Sequence, residues 1–289
     1  MLNPLDFFAD YTYAQSMYGT VLVGVLAGAL GPLVFLQRQS LVADVISHAS
    51  LPGVMLAFLA ATVLGYSGRN PVALLLGATI LGYLALHTMN SLSLHPKISN
   101  DAAMAATVST FFSLGMLVLQ YVSRRPFPEK AGIQDYLLGN ASTLTASDVR
   151  SIVVIGGSAL QVLSLVHSQL VTSVFDANFS LTQGLPLATY RVLGMAALVA
   201  VTVVGIKVVG IVLMVAVLIC PAIVSQAITS RLVPFIACSA LTGAFTSAAG
   251  CYAAVTIGHV PTGPAIVIVQ ALAAVAALFI PWLVRKKRA

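Results

Sequence analysis

The stretch Leu41-Val42-Ala43-Asp44-Val45-Ile46-Ser47-His48-Ala49-Ser50-Leu51-Pro52-Gly53 is apolar enough to enter a bilayer, yet it carries a carboxylate, an imidazole and two hydroxyls. It belongs to an apolar run over roughly 41–66, and about 20 such residues suffice to cross a hydrocarbon core. An ionisable side chain at that depth costs on the order of 3 kcal/mol or more unless it meets a partner or a water-filled path. Asp44 is the one carboxylate within an apolar run rather than at an end or in a loop. At i and i+4, Asp44 and His48 stand on one helix face about 6 Å apart along the axis. An oxygen and an imidazole nitrogen can there converge on one cation, and this donor set suits Mn²⁺, Zn²⁺ or Fe²⁺ better than an alkali ion or Cu(I). The same two groups could equally satisfy each other as a hydrogen-bonded pair with no transport role. Two side chains do not close a metal site, so water or a second copy of the chain would have to complete it. Pro52-Gly53 is expected to interrupt the helix, a device tolerated at depth where it lines a cavity or packs on protein.

The composition around this segment agrees. Of 289 residues, 59% are hydrophobic and only 8% charged, against roughly 25% charged in soluble domains, and the mean hydropathy is +0.99. Such a chain cannot build a solvated shell, which excludes disordered, disulfide-framework and nucleic-acid-binding classes. The fold class is therefore an all-α polytopic membrane protein. Apolar runs fall at roughly 15–36, 41–66, 71–93, 101–122, 148–171, 188–204, 208–229, 233–257 and 263–284, each near a bilayer-crossing length. That gives about nine transmembrane helices. Eight is the alternative, because the sixth and seventh runs are split only by Gly205-Ile206-Lys207. Small residues such as Gly24 and Gly28 suit close helix contacts in lipid.

The net charge of +6 is concentrated in the tail Arg285-Lys286-Lys287-Arg288, which reads as a cytoplasmic anchor. With nine spans the C-terminus is cytoplasmic and the acidic start lies outside. The loops oppose this, since Arg69, Arg124, Arg125, Lys130, Arg150 and Lys207 fall outside against Arg38, Lys97, Arg191 and Arg231 inside. The first thirteen residues lack the basic flank of a cleavable signal, so the N-terminus is expected to remain. Cys220, Cys238 and Cys251 lie in apolar runs without Cys-x-x-Cys spacing and read as packing residues.

Two stretches are too polar to cross lipid. The first is Ser123–Ser147, with a short helix expected at Gln134–Leu138. The second is Phe175–Pro186, an amphipathic patch ended by Gly184 and Pro186, which reads as an interfacial helix or a docking element. Among the other histidines, His87 and His167 are expected to be packed or interfacial and His95 lies in a loop. His259, between the last two runs on the outer side, is a weaker candidate contact for an arriving ion or a delivery protein. Asp101 reads as a helix N-terminal charge. The chain contains no Gly-x-x-x-x-Gly-Lys-Ser/Thr phosphate loop, so ATP-driven transport would need an ATPase on another subunit.

Taken in order, Leu41–Gly53, Asn100-Asp101-Ala102-Ala103, Asp135-Tyr136-Leu137-Leu138-Gly139-Asn140, Phe175-Asp176 with Gly184, Lys207-Val208-Val209-Gly210 leading to Cys220-Pro221-Ala222, and Pro261-Thr262-Gly263-Pro264 make the chain recognisable. It resembles the membrane permeases of the bacterial metal-chelate ABC importers, the manganese, zinc and iron type, over nearly its whole length. The resemblance implies a type II ABC importer-like permease forming one transmembrane domain over 1–289 in the bacterial plasma membrane. It implies a second permease subunit, identical or paralogous, two cytoplasmic ATP-binding subunits and an extracytoplasmic metal-binding protein. It also implies that the chain is not itself an enzyme and holds no permanent cofactor, the divalent ion being cargo. By the same resemblance Asp44 and His48 take the place of the metal-coordinating pair. Phe175, Asp176, Phe179 and Gly184 take the place of a short cytoplasmic coupling helix near 175–184 that docks on the ATPase. Arg38 stands alone where the family has a basic pair, and Ala177-Asn178 replace a more acidic stretch. The residues alone leave two other readings open: a stand-alone carrier driven by an ion gradient, and an intramembrane hydrolase. The second is disfavoured because a catalytic zinc takes three protein ligands.

Overall fold

The computed structural model describes residues 10–36, 42–68, 70–127, 139–166, 168–169, 171–172, 186–229, 231–258 and 260–286. Among these, the chain is all-helical. Nine helices follow in order: α1 (Tyr11–Leu36), α2 (Val42–Val63), α3 (Pro71–Ser93), α4 (Asn100–Arg124), α5 (Ala146–Leu165), α6 (Leu187–Val209), α7 (Met214–Ile228), α8 (Leu232–Ile257) and α9 (Thr262–Lys286). Eight are long and apolar enough to span a membrane, and α7, at 15 residues, is the shorter exception. Its inward residues Met214, Val217 and Leu218 are fully enclosed, because α7 packs among α1, α8 and α9.

Two boundaries differ from the expected ones. The sixth helix runs unbroken through Gly205-Ile206-Lys207 and stops at Val209. Gly205 is a packing glycine against the Met214 side chain, whereas Gly210 adopts φ 97°, a conformation that non-glycine residues rarely take. The break therefore lies three residues beyond its predicted place. Likewise α2 is continuous through Pro52 instead of being interrupted. Its backbone is held there by contact with α3, where Gly53 and Gly77 meet so closely that a side chain on either would strike the other's carbonyl. The expected helix at Gln134–Leu138 lies outside the described residues.

Glycine contacts of the same kind join α1 to α8. Gly24 faces the Gly243 backbone and Gly28 the Ser239 backbone, as the sequence predicts for both residues. Lipid offers no hydrophobic incentive for helices to associate, so close backbone approach and its dispersion energy must supply the adhesion. Outward positions on α3 and α9, among them Leu76, Ile80, Leu272 and Phe279, are exposed and apolar, which suits contact with acyl chains.

The helices sort into two groups. One consists of α2, α3 and α4, each packed on the other two; the other is built on the extensive α1–α8 contact with α7 and α9 around it. α6 touches α1, α5, α7 and α9 as well as α2 and α3, and α7 also packs on α2, so these two helices join the groups.

Candidate functional site

Asp44 lies in the first turn of α2 as described, and its level is set by contacts with other helices. Gly82, midway along α3, faces Ile46 and Ser50 of α2 and Val199 of α6. His48, between Ile46 and Ser50 on α2, is thus level with the middle of α3.

The two side chains meet as the i, i+4 spacing requires. His48 Nε2 lies 3.2 Å from Asp44 Oδ1. The His48 side chain is 14% exposed and that of Asp44 29%, so the pair is enclosed but reachable from the carboxylate side. The imidazole packs edge-on against Phe112, midway along α4, with ring centroids 4.7 Å apart at 83°. His48 Nδ1 is buried and has no hydrogen-bond partner among the described residues, and the same holds for the neighbouring Ser47 hydroxyl. Ser50, by contrast, is satisfied, its hydroxyl donating to the Ile46 carbonyl at 2.7 Å. Most buried polar atoms are paired, so an imidazole nitrogen and a hydroxyl left over at one site mark coordinating or hydrogen-bonding capacity held in reserve. Among the described residues no group of three or more His, Cys, Asp or Glu side chains converges.

The remaining candidates divide. Phe175, Asp176, Phe179, Gly184, His259 and His167 lie outside the described residues. His87 and His95 are exposed, which places neither at a site. Asp101 occupies the first turn of α4, whose N-cap Ser99 accepts from the Ala102 N–H, as expected.

A second polar centre was not anticipated. Lys207 Nζ lies 2.6 Å from Asp148 Oδ1. The other carboxylate oxygen accepts from the Thr145 hydroxyl at 2.6 Å and from the Thr145 N–H at 2.8 Å, closing a capping box at the start of α5. Around it, the Asn140 N–H donates to the Lys207 carbonyl, the Ala141 N–H to the Thr262 hydroxyl, and the Ser16 hydroxyl to the Ala141 carbonyl. Gly139, at φ 72°, lies against the Val209–Gly210 backbone. Three of the sequence motifs, at Gly139-Asn140, Lys207–Gly210 and Pro261-Thr262, thereby meet at one locus. The run Thr145-Ala146-Ser147-Asp148 carries a capping-box pattern and was the available signal.

The comparisons with known proteins agree with this architecture. The chain is 32% identical over 262 residues to the zinc transport system membrane protein TroC of Treponema pallidum, covering 91% of this chain and 86% of that one. It is 31% identical over 251 residues to the manganese transport system membrane protein MntC of Bacillus subtilis, covering 86% of this chain and 56% of that one. The solved structure of PsaBC from Streptococcus pneumoniae in complex with Fab superposes with a TM-score of 0.83 at 27% identity, covering 96% of this chain and 94% of the matched chain. The ABC-3 model, described as the ABC 3 transport family, matches residues 9–281, and the chain belongs to that family.

Proposed function

We propose that the chain is the permease subunit of an ATP-driven importer of divalent transition metal ions, Mn²⁺, Zn²⁺ or Fe²⁺, and that Asp44 and His48 line its translocation path. The observation that carries this reading is the carboxylate–imidazole pair level with the middles of α3 and α4, with a buried ring nitrogen left unpartnered. A hard oxygen beside a borderline nitrogen suits such ions, and the named relatives are membrane proteins of zinc and manganese transport systems. The PsaBC likeness supports assembly with further subunits.

In this mechanism residues 1–289 act as one permease domain in the bacterial plasma membrane, with the C-terminus cytoplasmic. A second permease, identical or paralogous, completes the path, and an extracytoplasmic metal-binding protein releases the ion into it, with His259 as an outer contact. Two ATP-binding subunits dock through Phe175, Asp176, Phe179 and Gly184. Their cycle exposes the pair first to one side and then to the other. Asp44 supplies negative charge to the dehydrating cation, and His48 supplies a neutral donor that lets it leave. Two side-chain donors alone hold the ion weakly enough for it to pass.

The test is metal uptake into vesicles holding the complete complex. Mn²⁺ or Zn²⁺ uptake that requires ATP and is abolished in Asp44→Ala and His48→Ala supports the assignment. Uptake by the purified chain without an ATPase, or normal uptake by both variants, overturns it.

A further inference from the structure

The Asp148–Lys207 centre commits an opposite-charge pair within the fold of a chain of which only 8% is charged. Its position explains why. The residues it ties together come from α1 (Ser16), the 140–145 turn, α5 (Asp148), the last turn of α6 (Lys207) and the first of α9 (Thr262). All but α6 belong to, or pack on, the group built around α1 and α8. Toward the other group, α5 and α6 together present Ile152, Val203 and Val204, with Asp148 and Lys207 beside them, across a cavity of about 40 Å³ from Val54, Leu74, Leu75 and Ala78 of α2 and α3. α6 is therefore tied to α5 by the ion pair and to the 140–145 turn by a backbone hydrogen bond. Toward α2 and α3 it meets mainly apolar side chains across an incompletely filled space. Apolar surfaces slide at low cost, whereas separating Asp148 from Lys207 would leave a carboxylate unpaired at 7% exposure.

We infer that Asp148 and Lys207 are positioning residues that lock α6 to the α1, α5 and α9 group, so that the seam which moves during transport runs between α6 and the α2–α3 pair. This rests on the permease reading and adds to it a division of labour. The helices that carry Asp44, His48 and Phe112 move as one body past a fixed α6. Small shifts at such a seam become discrete because packed interfaces have few stable arrangements.

The experiment uses the assembled transporter in lipid vesicles, with Cys220, Cys238 and Cys251 replaced by Ala and spin labels at exposed positions. One label pair, Val72→Cys with Val212→Cys, spans the seam. The other, Tyr11→Cys with Val212→Cys, lies within the fixed group. Nucleotide is expected to shift the first distance distribution and leave the second unchanged. Lys207→Met should broaden the second and raise the ATP hydrolysed per Mn²⁺ or Zn²⁺ carried by roughly three-fold, and Lys207→Arg should restore both. Equal nucleotide-driven shifts in both pairs, or an unaltered ATP-to-ion ratio in Lys207→Met, would overturn the proposal. If Lys207→Met does not assemble, the two distances in the unsubstituted background decide. A transporter that carries none of Mn²⁺, Zn²⁺ and Fe²⁺ refutes the permease reading instead, while the distances still test the seam.

Discussion

Asp44–His48 and Asp148–Lys207 are the two close acid–base contacts between side chains described in this bundle, and they are built on opposite terms. Asp148 uses both of its oxygens, one on Lys207 and one on Thr145, within a web of backbone hydrogen bonds. His48 uses one ring nitrogen and leaves the other buried without a partner, beside a serine in the same condition. The first pair joins elements distant in sequence; the second lies within one helical turn and ties nothing together. The Asp148 pair has the connections of a joint, and the His48 pair does not. A buried ion pair by itself is weak grounds for either role, so the difference lies in what surrounds it.

The largest expected effect separates the two pairs by function. Asp44→Asn or His48→Ala should reduce metal uptake to that of protein-free vesicles while the melting temperature of the complex stays within about 2 °C. A large fall in melting temperature would show that this pair too is a joint. Lys207→Met should do the reverse, costing about 2 kcal/mol of stability because Asp148 is left unpaired. The double variant Asp148→Asn with Lys207→Met should regain most of that loss, as followed by thermal unfolding in detergent. If the double variant is worse than the single, the pair does not behave as a desolvated couple. Gly53→Val should cost about 1–2 kcal/mol through overpacking against Gly77 and perturb uptake, because it shifts the helix that carries Asp44 and His48. The smallest effect is expected of Phe112→Leu. Losing an edge-on ring contact worth about 1 kcal/mol should raise the KM for metal by about five-fold and leave the melting temperature nearly unchanged.

Much of this architecture is legible in the residues, and the exceptions have physical causes. Hydropathy locates the apolar runs because crossing length is a property of composition. It misplaced the α6–α7 break because Gly205 and Gly210 look alike in sequence, while only Gly210 adopts the positive φ that ends a helix. The i, i+4 spacing was enough to bring Asp44 and His48 together. It could not give their level in the bundle, which is set by Gly82 and Phe112 of other helices. The Asp148–Lys207 joint was illegible for a similar reason. Its partners are local only in space, and Lys207 counted by sequence as a loop charge became, in the fold, the last-turn cation of α6.

Pro52 completes a regular series, Asp44, His48, Pro52, each one helical turn after the last. Proline has no N–H to give, and the carbonyl it would have served is that of His48. The backbone oxygen of His48 is consequently released from the helical ladder, and the turn linking the Asp44–His48 pair to the Gly53–Gly77 contact is held by one bond fewer.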